Sequence, residues 1–158
     1  MTLYNKIRDL IVRYQQSIFS LVTSLIGGDR NVAYDIAVES FVKTLSAFSA
    51  GPEDKFFVKL VAVAIESSRK ARAIPLVDES DFNDFSPEKR KTLHLARAAL
   101  QALSFETKVF LLLRDQLHLP YKLMGIILRL PERVVRIQTA QARVQLRTKI
   151  EDILRQGQ

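Results

Sequence analysis

Val109 to Arg147 read VFLLLRDQLHLPYKLMGIILRLPERVVRIQTAQARVQLR. Two helices separated by a short turn fit this stretch. The first, Pro120–Leu128, turns Met124, Ile127 and Leu128 inward, and Gly125 lets the next helix approach closely. The second starts at Glu132 and sets Val135, Thr139, Ala142 and Leu146 on one face at helical spacing. Its opposite surface carries Arg133, Ile137, Ala140 and Gln141, flanked by Arg136 and Gln138. An apolar back and a front of long polar side chains is what a helix needs to enter a major groove. There an arginine pairs with guanine, a glutamine with adenine, and an isoleucine meets a thymine methyl. Arg143 and Arg147, farther along, suit phosphates. Arg129 in the turn and Val134 at the helix start complete the DNA-facing candidates.

The charge distribution supports that assignment. Lys91–Gln158 carries 12 Lys/Arg and 5 Asp/Glu, whereas Met1–Arg90 carries 12 of each, so the whole net charge of +7 lies in the second segment. A basic excess confined to one end marks the part that meets a polyanion. At 47% hydrophobic and 26% charged, the chain can bury a core. With no cysteine it forms neither disulfides nor thiolate metal sites, which fits a reducing cytoplasm. No apolar run approaches the roughly 20 residues of a membrane span, and no secretory signal or membrane association is expected.

Upstream, the periodicity is helical throughout. Leu3, Ile7, Leu10, Ile11, Tyr14, Ile18, Leu21, Val22 and Leu25 follow 3- and 4-residue steps until Gly27-Gly28 stops them, with Asp29 placed to cap the next helix. That helix sets Val32, Ile36, Ala37, Phe41, Leu45 and Phe48 on one side. A third, from about Glu53 to Arg72, turns Phe57, Leu60, Val61, Ala64 and Ile65 inward. Residues 74–86 are acidic and turn-prone, with Ile74-Pro75 and Asp78, Glu79, Asp81 and Asp84, and read as a linker. Ser86-Pro87-Glu88 is a helix start, and four helices follow: Pro87–Leu103, Phe105–Leu117, Pro120–Arg129 and Glu132–Arg155. The expected fold is all-α, with two small helical domains at 1–73 and 87–158.

Leu111-Leu112-Leu113-Arg114-Asp115, Leu119, Tyr121, Ile127-Leu128, Leu130-Pro131, Val135 and Arg136 resemble, in order and spacing, the promoter-binding domain of bacterial extracytoplasmic-function sigma factors. Gly28-Asp29-Arg30, Asp35, Glu39, Phe41 and Lys43 resemble, more loosely, the helix by which that family docks on the polymerase clamp. The resemblance implies core RNA polymerase and promoter DNA as partners, with an anti-sigma factor as a further one. It implies polymerase contacts at Asp35, Val38, Glu39, Phe41 and Lys43, and minus-ten promoter contacts at Arg69, Lys70 and Arg72. It implies that the acidic linker threads toward the polymerase active-site channel.

The chain departs from the family at several positions. Val32 and Val38 stand where polar residues are common in the clamp-docking helix. Phe57, Ala64 and Ser68 stand where the family carries Trp, Asn and Asp, polar groups that help capture a flipped base. Arg129 and His118 replace usual glycines, and Leu123 and Ile126 replace usual exposed charges, which suggests a protein contact.

No catalytic constellation is present in the sequence. His94 and His118 lack a second ligand at helical spacing, Gly27-Gly28 is not a phosphate-cradling loop, and the acidic linker lacks a calcium-loop pattern. Neither enzymatic activity nor a cofactor is expected. Two other classes stay open beside a sigma factor. One is a sigma mimic that titrates an anti-sigma factor; the other is a helix–turn–helix regulator independent of polymerase.

Overall fold

The computed structural model describes residues 2–47, 51–71 and 85–157, and those residues are helical apart from short joints. Seven α-helices follow one another among the described residues: α1 (Leu3–Ile26), α2 (Arg30–Ala47), α3 (Glu53–Ala71), α4 (Pro87–Gln101), α5 (Phe105–Leu111), α6 (Tyr121–Leu128) and α7 (Glu132–Gln156). The all-helical expectation holds. The expected linker, Phe82 included, lies outside the described residues apart from Phe85 and Ser86, as do Phe48 and Arg72.

Helix starts follow their capping chemistry. Ser86 Oγ accepts from Lys89 N at 3.3 Å, with Pro87 at the first helical position, and Ser104 Oγ accepts from Thr107 N at 3.2 Å. Asp29 Oδ1 accepts from Asn31 N and Val32 N. Beyond α5 the helix widens into a π-turn over Leu112–Gln116, where Leu117 N donates to Leu112 O five residues back.

α1, α2 and α3 pack on one another around Ile18, Leu21, Val22, Ala33, Ile36, Phe56, Leu60 and Val61. Phe56, rather than the expected Phe57, is the fully buried aromatic of α3. Phe57 lies one position farther round the helix, half-buried, with its ring 4.8 Å from that of Tyr14. Leu3, expected inward, is 71% exposed, because the first turns of α1 lack an apolar cover and full burial begins at Ile18. Glu53, in the first turn of α3, accepts from Tyr14 Oη at 2.7 Å and pairs with Arg13, which ties α3 to α1. The hydrogen bond from Tyr14, then that from Arg13, lowers the Glu53 pKa. Burial, reinforced by Glu53, raises that of Tyr14.

α4, α5 and α6 pack on α7. The same apolar cluster that fills α1–α3 continues through Val109, Leu112, Leu113, Leu119, Met124, Ile127 and Val135. α3 also packs on α6, and α1 on α5, so the two halves of the chain share one core.

Candidate nucleic-acid interface

α6, a short turn and α7 occupy the stretch read from the sequence as a helix–turn–helix. Gly125 is buried in α6, and a Cβ there would stand 2.7 Å from Leu130 O, a backbone atom of the turn. Glycine at this position is therefore a steric requirement of the close approach. The turn closes with Arg129 in the left-handed conformation (φ 56°, ψ 45°). His118, before α6, also has φ 56°, so both residues standing at usual glycine positions take the conformation that favours glycine.

α7 separates its two faces as the periodicity predicts. Val135, Thr139 and Ala142 are buried, and Leu146 is half-buried. Arg133, Arg136, Ile137, Gln138, Ala140 and Gln141 are exposed on the other side, with Ile137 50% accessible. Val134 is half-buried at the boundary, and Arg129, Arg143 and Arg147 are exposed.

The candidate cations differ in how free they are. Among the described residues, Arg129, Arg133 and Arg147 make no ion pair. Arg136 donates to Glu132 Oε1 at 2.8 Å, its guanidinium 4.8 Å from the Tyr121 ring centre. Arg143 grips Asp115 with two hydrogen bonds, Nη2 to Oδ1 at 2.6 Å and Nε to Oδ2 at 3.2 Å, and so pins α7 to the end of the π-turn. Arg143 thus has a structural role that its position on α7 did not reveal. Arg114 lies 4.1 Å over the Tyr121 ring and donates to Leu119 O at 2.9 Å, fastening the joint before α6.

In the first half, Asp35, Val38, Glu39 and Lys43 are exposed on α2, and Lys43 pairs with Glu39 at 2.6 Å. Phe41, a polymerase contact by the resemblance, is buried instead. It is 8% exposed and belongs to the core, because it shares the inward stripe with Ile36 and Ala37. It can support a docking helix from behind but does not offer its ring as a contact. Lys70 is exposed, whereas Arg69 is bound to Glu106 and Glu66. Ala64 and Ser68, which the resemblance sets against base-capture residues, are buried, and Ser68 Oγ has no hydrogen-bond partner.

Two features escaped the sequence reading. One is the buried Lys108, whose ammonium donates to Leu25 O at 2.6 Å and to Gln101 Oε1 at 3.1 Å. Burial lowers its pKa. Its signal was present: Lys108 stands three and four residues before Leu111 and Leu112, on the inner side of α5. The other is an apolar groove of about 400 Å³ between α3 and α6, lined by Asp54, Phe57, Pro120, Lys122, Leu123 and Ile126. It brings together the two apolar departures on α6 with Phe57 of α3. No cluster of metal-binding side chains occurs among the described residues, and no helix among them is long and apolar enough to cross a membrane.

No family model matches the sequence, and no curated protein matches it. Among solved structures, the chain is similar to CnrH, determined in complex with the cytosolic domain of CnrY, with a TM-score of 0.72. Identity is 16%, and the likeness covers 94% of this chain and 90% of that one. At that identity the likeness is one of fold: an all-helical arrangement shared with CnrH over most of both chains.

Proposed function

We propose that the protein is a sigma-like initiation factor, which binds core RNA polymerase and selects promoters. One observation carries this reading: the outer face of α7 presents Arg133, Ile137, Gln138 and Gln141 to solvent, behind a helix–turn–helix closed by Gly125. The likeness to CnrH, an extracytoplasmic-function sigma factor, supports it from the fold. In this reading residues 87–158 form the DNA-binding domain, 74–86 the linker, and 1–73 the domain for polymerase and the minus-ten element. Arg133, Gln138 and Gln141 read bases, Ile137 packs on a thymine methyl, and Arg129 and Arg147 hold phosphates beside Val134, with Arg143 joining them once it exchanges Asp115 for a phosphate. Arg136 joins the base readers once it exchanges Glu132 for a guanine edge. Asp35, Val38, Glu39 and Lys43 face the polymerase, with Phe41 behind them. Lys70, with Arg72 and Arg69, serves the minus-ten element. The polymerase performs the chemistry, and this chain acts in the cytoplasm without a cofactor.

Run-off transcription with core polymerase on a library of upstream elements tests the reading. Specific initiation that depends on this chain is the expected result; none on any template sinks it. Arg136→Ala should cost about 1–3 kcal/mol on the preferred sequence if Arg136 reads a base. An equal loss on every sequence would make it a phosphate contact instead.

A second reading is favoured by the groove of Phe57, Leu123 and Ile126. An apolar cleft is not needed for DNA, and CnrH was determined in complex with a protein, the cytosolic domain of CnrY. In that reading the chain is a mimic whose partner is an anti-sigma factor. Binding of such a factor without any transcription would select it.

A further inference from the structure

The contacts that join the two halves of the chain are polar at one end and use a proposed DNA contact. Helix α1 ends with carbonyls that have no acceptor role left within the helix. Two of them are capped from the second half: Leu25 O accepts from Lys108 Nζ at 2.6 Å, and Ser24 O accepts from Gln101 Nε2 at 3.2 Å. Gln101 Oε1 in turn accepts from Lys108, so the two side chains act as one clamp on the negative end of α1. At the same junction Glu106 holds Arg69 by a two-point fork, Nε to Oε1 at 2.8 Å and Nη2 to Oε2 at 3.2 Å. The Arg69 guanidinium also lies 5.3 Å from the centre of the Phe105 ring and pairs with Glu66. Lys108 and Glu106 are two residues apart on α5, so seating one positions the other. A cleft of about 180 Å³ lies beside the seam, lined by Thr23, Ser24, Gly27, Gly28, Leu100 and Gln101, among others.

We propose that these contacts form a latch: by capping α1 through Lys108 and Gln101, the second half presents Glu106 to Arg69 and withholds that guanidinium from nucleic-acid phosphate. The inference rests on the reading of Arg69 as a promoter contact. Both sides of the Arg69–Glu106 pair remain partly open to water, with side-chain exposures of 39% and 61%. Such a pair is weak enough for a phosphate to compete with the carboxylate. Opening the seam would uncover Arg69 and, on the same helix, bare the α3 surface that α6 covers.

The absence of cysteine makes the test direct. Spin labels on Ser46→Cys and Leu154→Cys, exposed positions on α2 and α7, report the separation of the halves in the full chain. One narrow distance distribution is expected for the latched chain, with a longer, broader one after Glu106→Gln and Lys108→Met together. Affinity for a fluorescein-labelled single-stranded oligonucleotide should rise with opening, by up to about fivefold. Adding Arg69→Gln should abolish that gain. An unchanged distance distribution in the double variant overturns the latch. Longer distances with no gain in affinity overturn the withholding of Arg69. Should Lys108→Met impair folding, the exchanged pair Arg69→Glu with Glu106→Arg decides instead. Each single change should open the seam and the pair should reclose it; singles that stay closed overturn the proposal. A chain that opens as expected yet binds no nucleic acid in any form sinks the promoter reading and the withholding, while the seam stands by its distances.

Discussion

Two helix ends in this molecule make the same hydrogen bonds with different residues. At the end of α1, Thr23 O accepts from the N–H groups of both Gly27 and Gly28. At the end of α6, Gly125 O accepts from both Arg129 and Leu130. Each closure needs a left-handed residue, Gly27 in one and Arg129 in the other. The angles differ: φ is 98° at Gly27 and 56° at Arg129. The second value lies within the small left-handed well open to residues with a Cβ, and the first lies well beyond it. The comparison separates two uses of glycine. At α1 the glycine supplies backbone freedom. At α6 the glycine stands four residues earlier, where a neighbouring backbone comes close, and an arginine bears the strain of the turn while keeping a cation at the proposed DNA face.

The sharpest way to break this comparison is Gly125→Ala. The new Cβ meets a carbonyl rather than a flexible side chain, so a loss of about 2–3 kcal/mol is expected in urea unfolding. A loss under half of that would mean that the turn yields easily. Gly27→Ala comes next, at about 1–2 kcal/mol, because only backbone conformation is at stake. Arg129→Gly should act in the opposite direction and gain about 0.5–1 kcal/mol, the relief of left-handed strain less the greater freedom of an unfolded glycine. The same change should lower the salt dependence of duplex DNA binding by about one unit of slope. A stabilised variant with an unchanged slope would leave that arginine without a role at the interface.

The smallest effect concerns the cap that α1 receives from Lys108. Burial lowers the pKa of this amine in the folded chain, so the unfolded chain holds its proton to higher pH. At lower pH, where the amine is charged in both states, the desolvation cost is present in full. It is relieved as pH rises through the folded pKa toward the ordinary lysine value of 10.5. The stability of the native chain relative to Lys108→Met should therefore rise with pH in that alkaline window. A flat difference would show that the amine is better hydrated than its burial implies.

Much of the architecture was legible because helical periodicity and punctuation agree. Gly27-Gly28 and Ser86-Pro87 fall at the ends they were expected to mark, and the two faces of α7 separate as its spacing predicts. What escaped was of another kind. The one-residue error at Phe56 and Phe57 arose because both are aromatic, and periodicity alone does not choose between adjacent positions on the rim of a stripe. Phe41 was assigned to a contact by its place in a motif, although its spacing from Ile36 and Ala37 already pointed inward. The pairings Arg143–Asp115, Arg69–Glu106 and Lys108–Leu25 join residues 28 to 83 positions apart. Charge composition counts such cations as available to a polyanion; only the placement of α5 and the π-turn beside α1, α3 and α7 shows which are already engaged.

The π-turn after α5 carries one residue more than an α-turn over the same rise. That surplus is slack. A chain shortened by one residue within Leu112–Gln116 could close the segment as ordinary α-helix and still deliver Leu119 and Tyr121 to their places. Single-residue insertions and deletions among proteins of this shape should accordingly collect at this point, and a comparison that forbids a gap there would misalign everything downstream.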